Sequence, residues 1–176
     1  LLLADEEGSR LTPSVVFFPE NGDPIVGHAA QRQQILAPAR TISSIKRFMG
    51  SPDTISTGER NISPEEVSAE ILKHLKNIAE DRLGKIINRA VITAPAYFND
   101  AQRAATRKAG ELAGFTIERI LSEPTAAALA YGLDKLQDQT KVAVYDFGGG
   151  TFDLSILQLD NGIFQVLATS GDTRLG

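Results

Sequence analysis

The stretch DFGGGTFD, residues 146–153, has one carboxylate on each side of three consecutive glycines. Residues 141–145 before it and residues 154–159 after it are largely apolar, which predicts a strand on each side, the first of them buried. The glycines are then expected at a tight turn between the strands, where backbone N–H groups can approach an anion. This turn is therefore the first candidate for a functional site.

The polar side chains around the turn are those that a magnesium–phosphate group requires. Side chains alternate along a strand, so Thr151 and Asp153 are expected on the same side, with Asp146 at the end of the incoming strand. Carboxylates suit hydrated Mg²⁺, a hydroxyl suits the terminal phosphate, and glycine amides suit the phosphate oxygens. An ordinary glycine turn between two strands is the alternative, since Gly-rich turns are common.

The composition narrows the class of protein. The 176 residues are 42% hydrophobic, enough for one substantial core or two small lobes. A net charge of −4 argues against a nucleic-acid-binding surface, and no apolar run is long enough to span a membrane. The chain has no cysteine, which excludes disulfides and a cysteine nucleophile and fits a cytoplasmic location. Its two histidines, His28 and His74, are expected at the surface and make a histidine metal cluster implausible.

The order of polar and apolar residues predicts an α/β protein with a mixed sheet. Further strands are predicted at residues 1–4, 14–18, 86–94, 115–121 and 163–168, and helices at residues 29–36, 42–49, 64–83, 100–113 and 124–131. Ser63 has the pattern of a helix cap followed by proline and two glutamates, and Asn99 is expected to cap another helix. Hairpin turns are predicted at residues 21–22 and 160–162.

Common nucleotide-binding motifs are absent from the chain, which has neither a P-loop nor a G-x-G-x-x-G fingerprint. Four other segments, together with the glycine turn, resemble the seventy-kilodalton heat-shock chaperone (DnaK-like) family. They are TPSVV at residues 12–16, IKRFMG at 45–50, ITAPAYFNDAQR at 92–103 and SEPTAAALAYG at 122–132. The motifs occur in the family's order and the resemblance covers nearly all of the chain, which is therefore identified as a member of that family.

The resemblance implies the nucleotide-binding domain of an ATP-driven, stress-response chaperone, on the actin-like ATPase fold (ribonuclease-H-like) with mixed sheets and flanking helices. Residues 1–136 would form its first lobe and residues 137–176 the start of its second lobe, divided at the polar connector 137–140. The family's first phosphate hairpin would precede the sequence, and its adenosine-binding half would follow. We therefore interpret the chain as an incomplete fragment that is a weak or inactive ATPase by itself.

The resemblance also implies a role for each residue that matches a family motif. The phosphates would be held by Gly148, Gly149, Gly150 and Thr151, and the hydrated magnesium by Asp146 and Asp153. The catalytic set would be Lys46, Glu123 and Thr151, in which Lys46 reaches the terminal phosphate and orients the attacking water. ATP or ADP and Mg²⁺ are the implied cofactors, with K⁺ as a further candidate.

Three further residues would link this site to the rest of a chaperone. Pro95 would act as a conformational switch, Arg103 would relay its state towards a substrate-binding domain, and Arg119 would lie where a J-domain co-chaperone binds. The other implied partners are a nucleotide exchange factor and an unfolded or client polypeptide bound by an absent C-terminal domain; nucleic acid and membrane are not among them. Residues 41–49 and 164–169 resemble the HscA branch, which serves iron–sulfur cluster assembly.

Each of these assignments has a plainer alternative. Lys46 lies off the apolar face of its predicted helix and could be merely solvated, and Glu123 could be a helix cap. Pro95 could simply end a strand; the two arginines are surface residues by default, and the aromatic pair at 97–98 is expected in the core. For the whole chain, the alternatives are a small-molecule kinase on the same scaffold, which would need a catalytic base for its acceptor, and a non-catalytic partner-binding fragment.

Overall fold

The computed structural model describes residues 1–58, 61–132, 140–148, 151–172 and 175, which form an α/β arrangement of small sheets and packed helices. The strands are β1 (Val15–Phe17), β2 (Ile25–Val26), β3 (Thr41–Ser43), β4 (Ile55–Ser56), β5 (Asn61–Ile62), β6 (Arg89–Ala94), β7 (Thr116–Ser122), β8 (Lys141–Phe147), β9 (Phe152–Asp160) and β10 (Ile163–Asp172). The α-helices are α1 (His28–Gln33), α2 (Pro64–Leu83), α3 (Asp100–Leu112) and α4 (Glu123–Ala130), and short 3-10 helices span Pro38–Arg40 and Ile45–Phe48. None of the helices in these ranges is long and apolar enough to cross a membrane.

Parallel and antiparallel strand pairs lie in separate sheets within the described ranges. Strands β2, β1 and β3 form one antiparallel sheet, β10, β9 and β8 form another, and β4 pairs antiparallel with β5. Strands β6 and β7 pair in parallel because helix α3 carries the chain back across the sheet between them. The predicted α/β class, with both kinds of pairing, is confirmed, although the pairs do not share one sheet.

Two elements predicted near the N-terminus are wrong. Residues 1–4, predicted as a strand, have no regular structure. Residues 42–49, predicted as one helix, instead form the end of β3 and the 3-10 helix Ile45–Phe48. Pairing of Ile42 with Val16 in the sheet overrides the helical spacing of the apolar residues. Ser44 then ends the strand with a left-handed φ of 55°.

Helices α2 and α3 begin as the sequence predicts. Ser63 Oγ accepts a hydrogen bond from the Glu66 N–H at 3.3 Å, and the Glu66 carboxylate accepts one from the Ser63 N–H at 2.8 Å. Asn99 and Gln102 form the same reciprocal pair at the start of α3. These contacts satisfy backbone donors that a helix start otherwise leaves unpaired. Both capping predictions are confirmed.

The unit formed by β6, α3 and β7 positions two segments of the candidate site. The two strands run parallel, with Ala94 opposite Ser122. Parallel strands that share a register have their carboxyl ends at the same edge of the sheet. Pro95 follows the end of β6 and Glu123 follows the end of β7. These two segments are therefore neighbours although a whole helix separates them in sequence.

Gly110 is the point where α3 packs most closely on this sheet. A Cβ at Gly110 would overlap Ile117 Cδ1 and lie 2.8 Å from both Ile117 Cγ1 and Ile92 Cδ1. We expect Gly110→Ala to lower the free energy of unfolding by about 1–3 kcal/mol, because overpacking outweighs the better helix propensity of alanine. Chemical denaturation measures the difference. Adding Ile117→Val removes the overlapping methyl and should recover part of the loss, whereas a Gly110→Ala protein as stable as wild type would contradict the close packing.

The C-terminal sheet confirms the predicted antiparallel meander, including the turn at residues 160–162. Its first strand is not buried as predicted: side chains of β8 alternate between half-buried and exposed, and Tyr145 is 69% exposed. The reason is that the face carrying residues 141, 143, 145 and 147 is not covered by other described elements. Residues 133–139, which contain the predicted lobe boundary, lie outside the described residues.

Candidate functional site

Asp146 and Asp153 lie directly opposite each other on β8 and β9. Asp153 is only 4% exposed, and its carboxylate accepts hydrogen bonds from the Ser155 and Thr169 hydroxyls, at 2.9 Å each. It also accepts one from the Ala96 N–H at 3.3 Å. Like charges in cross-strand register repel each other, so a nearby cation would stabilise the pair. The structure therefore places the two predicted metal residues side by side.

The glycine turn joins these two strands. The Gly148 N–H donates a hydrogen bond to the Thr151 carbonyl at 3.1 Å, which closes the turn next to the carboxylate pair. Gly149 and Gly150, the other predicted phosphate ligands, lie outside the described residues. Thr151 lies one residue before β9, and its role as a phosphate ligand stays a prediction.

Lys46 and Glu123, both predicted as catalytic, form an ion pair. Lys46 Nζ lies 2.6 Å from Glu123 Oε1, and the two side chains are 40% and 18% exposed. Glu123 is the first residue of α4 rather than its cap, since Ser122 occupies the cap position and its side chain makes no capping hydrogen bond. The interpretation of Glu123 as a cap is therefore wrong, and Lys46 is not merely solvated.

Tyr97 lies among the groups just described. Its hydroxyl is buried and makes no hydrogen bond within the part of the chain that the structure describes. Burial raises the pKa of the Tyr97 phenol; the Thr151 side chain acts against this, and the charges of Asp153, Glu123 and Asp146 raise the pKa further. The phenol therefore stays protonated at neutral pH and is a hydrogen-bond donor for which the described residues supply no acceptor.

The sequence predicts Tyr97 as a core residue, and that prediction is incomplete. Its ring does pack edge-to-face with Phe98 at 5.8 Å, beside a buried cluster that includes Phe98. Its hydroxyl, however, is close enough to Asp153, Glu123 and Asp146 for their charges to raise its pKa. The signal available in the sequence is the choice of tyrosine over phenylalanine in the loop after β6, because a buried tyrosine normally needs a polar partner.

Arg103 holds the loop that follows β6. Its guanidinium donates to the carbonyl oxygens of Phe98 at 3.1 Å, Ala96 at 3.2 Å and Pro95 at 3.4 Å. Arg103 is therefore not an ordinary surface arginine, and the two predicted relay residues are in direct contact. Because the Ala96 N–H binds Asp153, this loop also connects α3 with the carboxylate pair.

Arg119 lies apart from these contacts. It is exposed on β7, in register with Val91 of β6. The structure leaves its side chain accessible to a partner, and its assignment as a docking residue stays a prediction.

The donor set suits a hydrated divalent cation. The carboxylates of Asp146 and Asp153 lie opposite each other, and the ammonium of Lys46 balances the carboxylate of Glu123 at the end of β7. Across the described ranges, no three His, Asp or Glu side chains are grouped so that they could ligate one metal ion. Mg²⁺ prefers oxygen donors and keeps several of its waters, so a pair of carboxylates is sufficient to hold it.

A cavity of about 880 Å³ lies elsewhere and is lined by none of the predicted site residues. Its walls include Gly27, His28, His74 and Asp81. Both histidines are half-buried, so the prediction that they lie at the surface is only partly right.

Comparison with known protein families shows which family this chain belongs to. The profile of the family described as Hsp70 protein matches residues 1–55 and 53–176. The chain belongs to the Hsp70 family. The resemblance to the DnaK-like chaperones that the sequence motifs indicate is confirmed.

Individual relatives of this Hsp70 chain agree with the family assignment. Two proteins named Chaperone protein DnaK, from Thermotoga petrophila and Thermosipho melanesiensis, are each 56% identical over 175 residues, which is 99% of the chain. A third protein of the same name, from Ureaplasma urealyticum serovar 10, is 55% identical over 177 residues, covering 100% of the chain. The chain spans 29% of the length of each of these relatives.

Membership in the Hsp70 family confirms the predictions made at the level of family and fold class. The family implies the actin-like ATPase fold, and the α/β arrangement of the structure is consistent with it. The chain therefore corresponds to a part of Hsp70 proteins that are named as chaperones, and its ATP binding and chaperone activity stay proposals. The HscA branch, the lobe boundary and the roles of individual residues stay predictions.

Proposed function

We propose that this chain forms the phosphate-binding and magnesium-binding side of a chaperone ATPase that couples ATP turnover to the binding and release of client proteins. The observation that supports it best is the geometry beside the glycine turn: Asp146 lies opposite Asp153, Asp153 binds the Ala96 N–H just after β6, and the Lys46–Glu123 ion pair lies at the neighbouring end of β7. A cation, a cross-strand carboxylate pair and a glycine turn together form a set that a magnesium–phosphate group needs.

The cofactor assignments follow from the donor chemistry. MgATP would supply the transferable phosphoryl group together with a cation that offsets its charge. Asp146 and Asp153 would hold the hydrated Mg²⁺, and the phosphate oxygens would be held by Gly148, Gly149, Gly150 and Thr151. The repulsion between the two opposed carboxylates supports a cation at this place.

Lys46 would act as the phosphate-facing cation of the site. A partly exposed ion pair such as Lys46–Glu123 contributes little to folding stability, so the pair is better explained by the orientation that it imposes on the ammonium. Glu123 would hold Lys46 in position, and Lys46 would orient the attacking water at the terminal phosphate. The protonated Tyr97 is a further donor at the same place.

The loop at Pro95 would connect the site with other parts of the protein. The Pro95–Ala96 peptide group donates its N–H to Asp153, and its carbonyl oxygen, that of Pro95, accepts from Arg103 at 3.4 Å, so a shift of the carboxylate reaches α3 through one peptide group. We propose that Pro95 switches and Arg103 relays its state towards a client-binding domain, while Arg119 receives a J-domain co-chaperone. A nucleotide exchange factor would reset the cycle. In this arrangement residues 1–136 belong to the first lobe and residues 137–176 to the second, in a cytoplasmic protein.

The full-length protein that contains this chain is expected to hydrolyse ATP only with Mg²⁺ present. Its turnover should rise when an unfolded peptide and a J-domain protein are added together, because client binding and the co-chaperone act on the same cycle. Phosphate release measures the turnover. Parallel assays with sugar or acetate, read out as phosphorylated product, test the small-molecule kinase. Turnover that requires such an acceptor and ignores peptide and J-domain protein would contradict the proposal.

A further inference from the structure

Strand β10 contains a bulge beside the candidate site. Its register with β9 shifts between Val166 and Ala168, after which Thr169 lies opposite Ser155. Without the extra residue, Thr169 would lie opposite Leu154, and its side chain would point to the other face of the sheet. Bulges often re-aim a side chain next to a functional site. This one turns the Thr169 hydroxyl to the face of Ser155.

On that face two hydroxyls bind a single carboxylate oxygen. Ser155 Oγ and Thr169 Oγ1 each donate to Asp153 Oδ1 at 2.9 Å, and they lie 3.1 Å from each other. Ser155 is fully buried. The two bonds use both lone pairs of Oδ1, while Oδ2 accepts one bond, from the Ala96 N–H, among the residues that the structure describes. The carboxylate is thereby fixed in rotation and presents one oxygen.

The same bulge also shapes the space next to the carboxylate. After the shift, Gly171 lies opposite Asp153. A Cβ at Gly171 would overlap the Phe152 carbonyl and lie 3.1 Å from Tyr97 Cε1. The missing side chain therefore leaves room for the Tyr97 ring beside Asp153. Beyond the bulge, Thr169 therefore binds this carboxylate and Gly171 leaves space beside it.

We propose that Ser155 and Thr169 are positioning residues, which hold Asp153 so that only Oδ2 faces the hydrated cation. The inference rests on the proposed function, because it assigns these hydroxyls to the magnesium site. The competing explanation is that they only satisfy a buried carboxylate, which needs hydrogen bonds wherever it is buried. The two explanations differ in what the loss of one hydroxyl does to cation affinity. Residues that orient a metal ligand through hydrogen bonds change the affinity for the metal when they are replaced.

Thr169→Val removes the hydroxyl and keeps the shape of the side chain, and Ser155→Ala removes the second hydroxyl. In the full-length protein we expect each to raise the Mg²⁺ concentration for half-maximal ATP hydrolysis about tenfold or more, as is usual for such partners. Thr169→Ser keeps the hydroxyl and should stay close to wild type. Ser170→Ala is the matched control, since Ser170 lies opposite Leu154 on the other face of β10.

Mn²⁺ affinity in the presence of ADP, measured by electron paramagnetic resonance, gives a readout that does not depend on turnover. Thr169→Val should weaken it by a similar factor and shift the Ala96 amide resonance. If wild type hydrolyses ATP but Thr169→Val only lowers the melting temperature, with Mn²⁺ affinity unchanged, the hydroxyl is structural and the positioning role is wrong. If Thr169→Ser fails to restore the affinity, the hydroxyl is not the cause and the role is equally wrong. A wild-type protein that neither hydrolyses ATP nor binds Mn²⁺ with ADP would overturn the proposed function itself.

Discussion

Asp146→Asn in the full-length protein is expected to reduce magnesium-dependent ATP hydrolysis roughly 10²-fold, the scale on which a lost electrostatic contact acts in a reaction centre. Asparagine keeps the shape of the side chain but removes the charge that would hold the hydrated cation. Because the change also removes the repulsion between the opposed carboxylates, the fold should stay intact. Steady-state turnover as a function of Mg²⁺ concentration measures the effect.

Asp153→Asn should reduce turnover by at least as much and should also destabilise the fold. An asparagine that offers its oxygen to the Ser155 and Thr169 hydroxyls turns its NH₂ group towards the Ala96 N–H, where two donors oppose each other. A buried donor without a partner costs about 1–3 kcal/mol of stability. Asp160→Asn, at the far end of β9, is the control for the charge change. Unchanged turnover in both site variants would remove Asp146 and Asp153 from the metal site.

Lys46→Ala in the full-length protein should lose most of the turnover while nucleotide binding is retained. A cation that matters mainly as charge redistributes around the transferred phosphoryl group stabilises the transition state more than the ground state. The expected loss corresponds to roughly 3–4 kcal/mol in activation free energy. Single-turnover hydrolysis gives the rate, and calorimetric titration with ATP analogues gives the affinity.

Lys73→Ala is the matched control for this substitution. Lys73 forms a comparable ion pair with Glu70, 2.8 Å apart, on α2 and away from the glycine turn. Its replacement should leave both turnover and affinity unchanged. If Lys46→Ala weakens binding but hydrolyses ATP normally at saturation, Lys46 is a binding residue, and its proposed role in orienting the attacking water is wrong.

Local structure could be predicted where neighbouring residues in sequence decide it. The caps of α2 and α3 depend on side chains three residues from the cap, so the amino-acid sequence alone predicts them. The helix predicted at residues 42–49 fails because Ile42 pairs with a distant strand, a contact that no local pattern records. The exposure of β8 could not be predicted either, because an apolar strand sequence does not say whether another layer covers each of its faces.

The sequence by itself determined the family, through motifs spread along most of its length, and with it the residues that we assign to the phosphate and magnesium site. Only the tertiary structure decided how these residues meet. Lys46 reaches Glu123 across 77 residues, and Ala96 reaches Asp153 across 57. Thr169 reaches Asp153 only because of the strand register and the bulge in β10. Tyr97 acquires its polar surroundings only because residues that are distant in sequence come close to it. The physical reason is that side-chain identity sets what a residue can bind, whereas register sets which face it occupies, and a shift of one residue reverses that face.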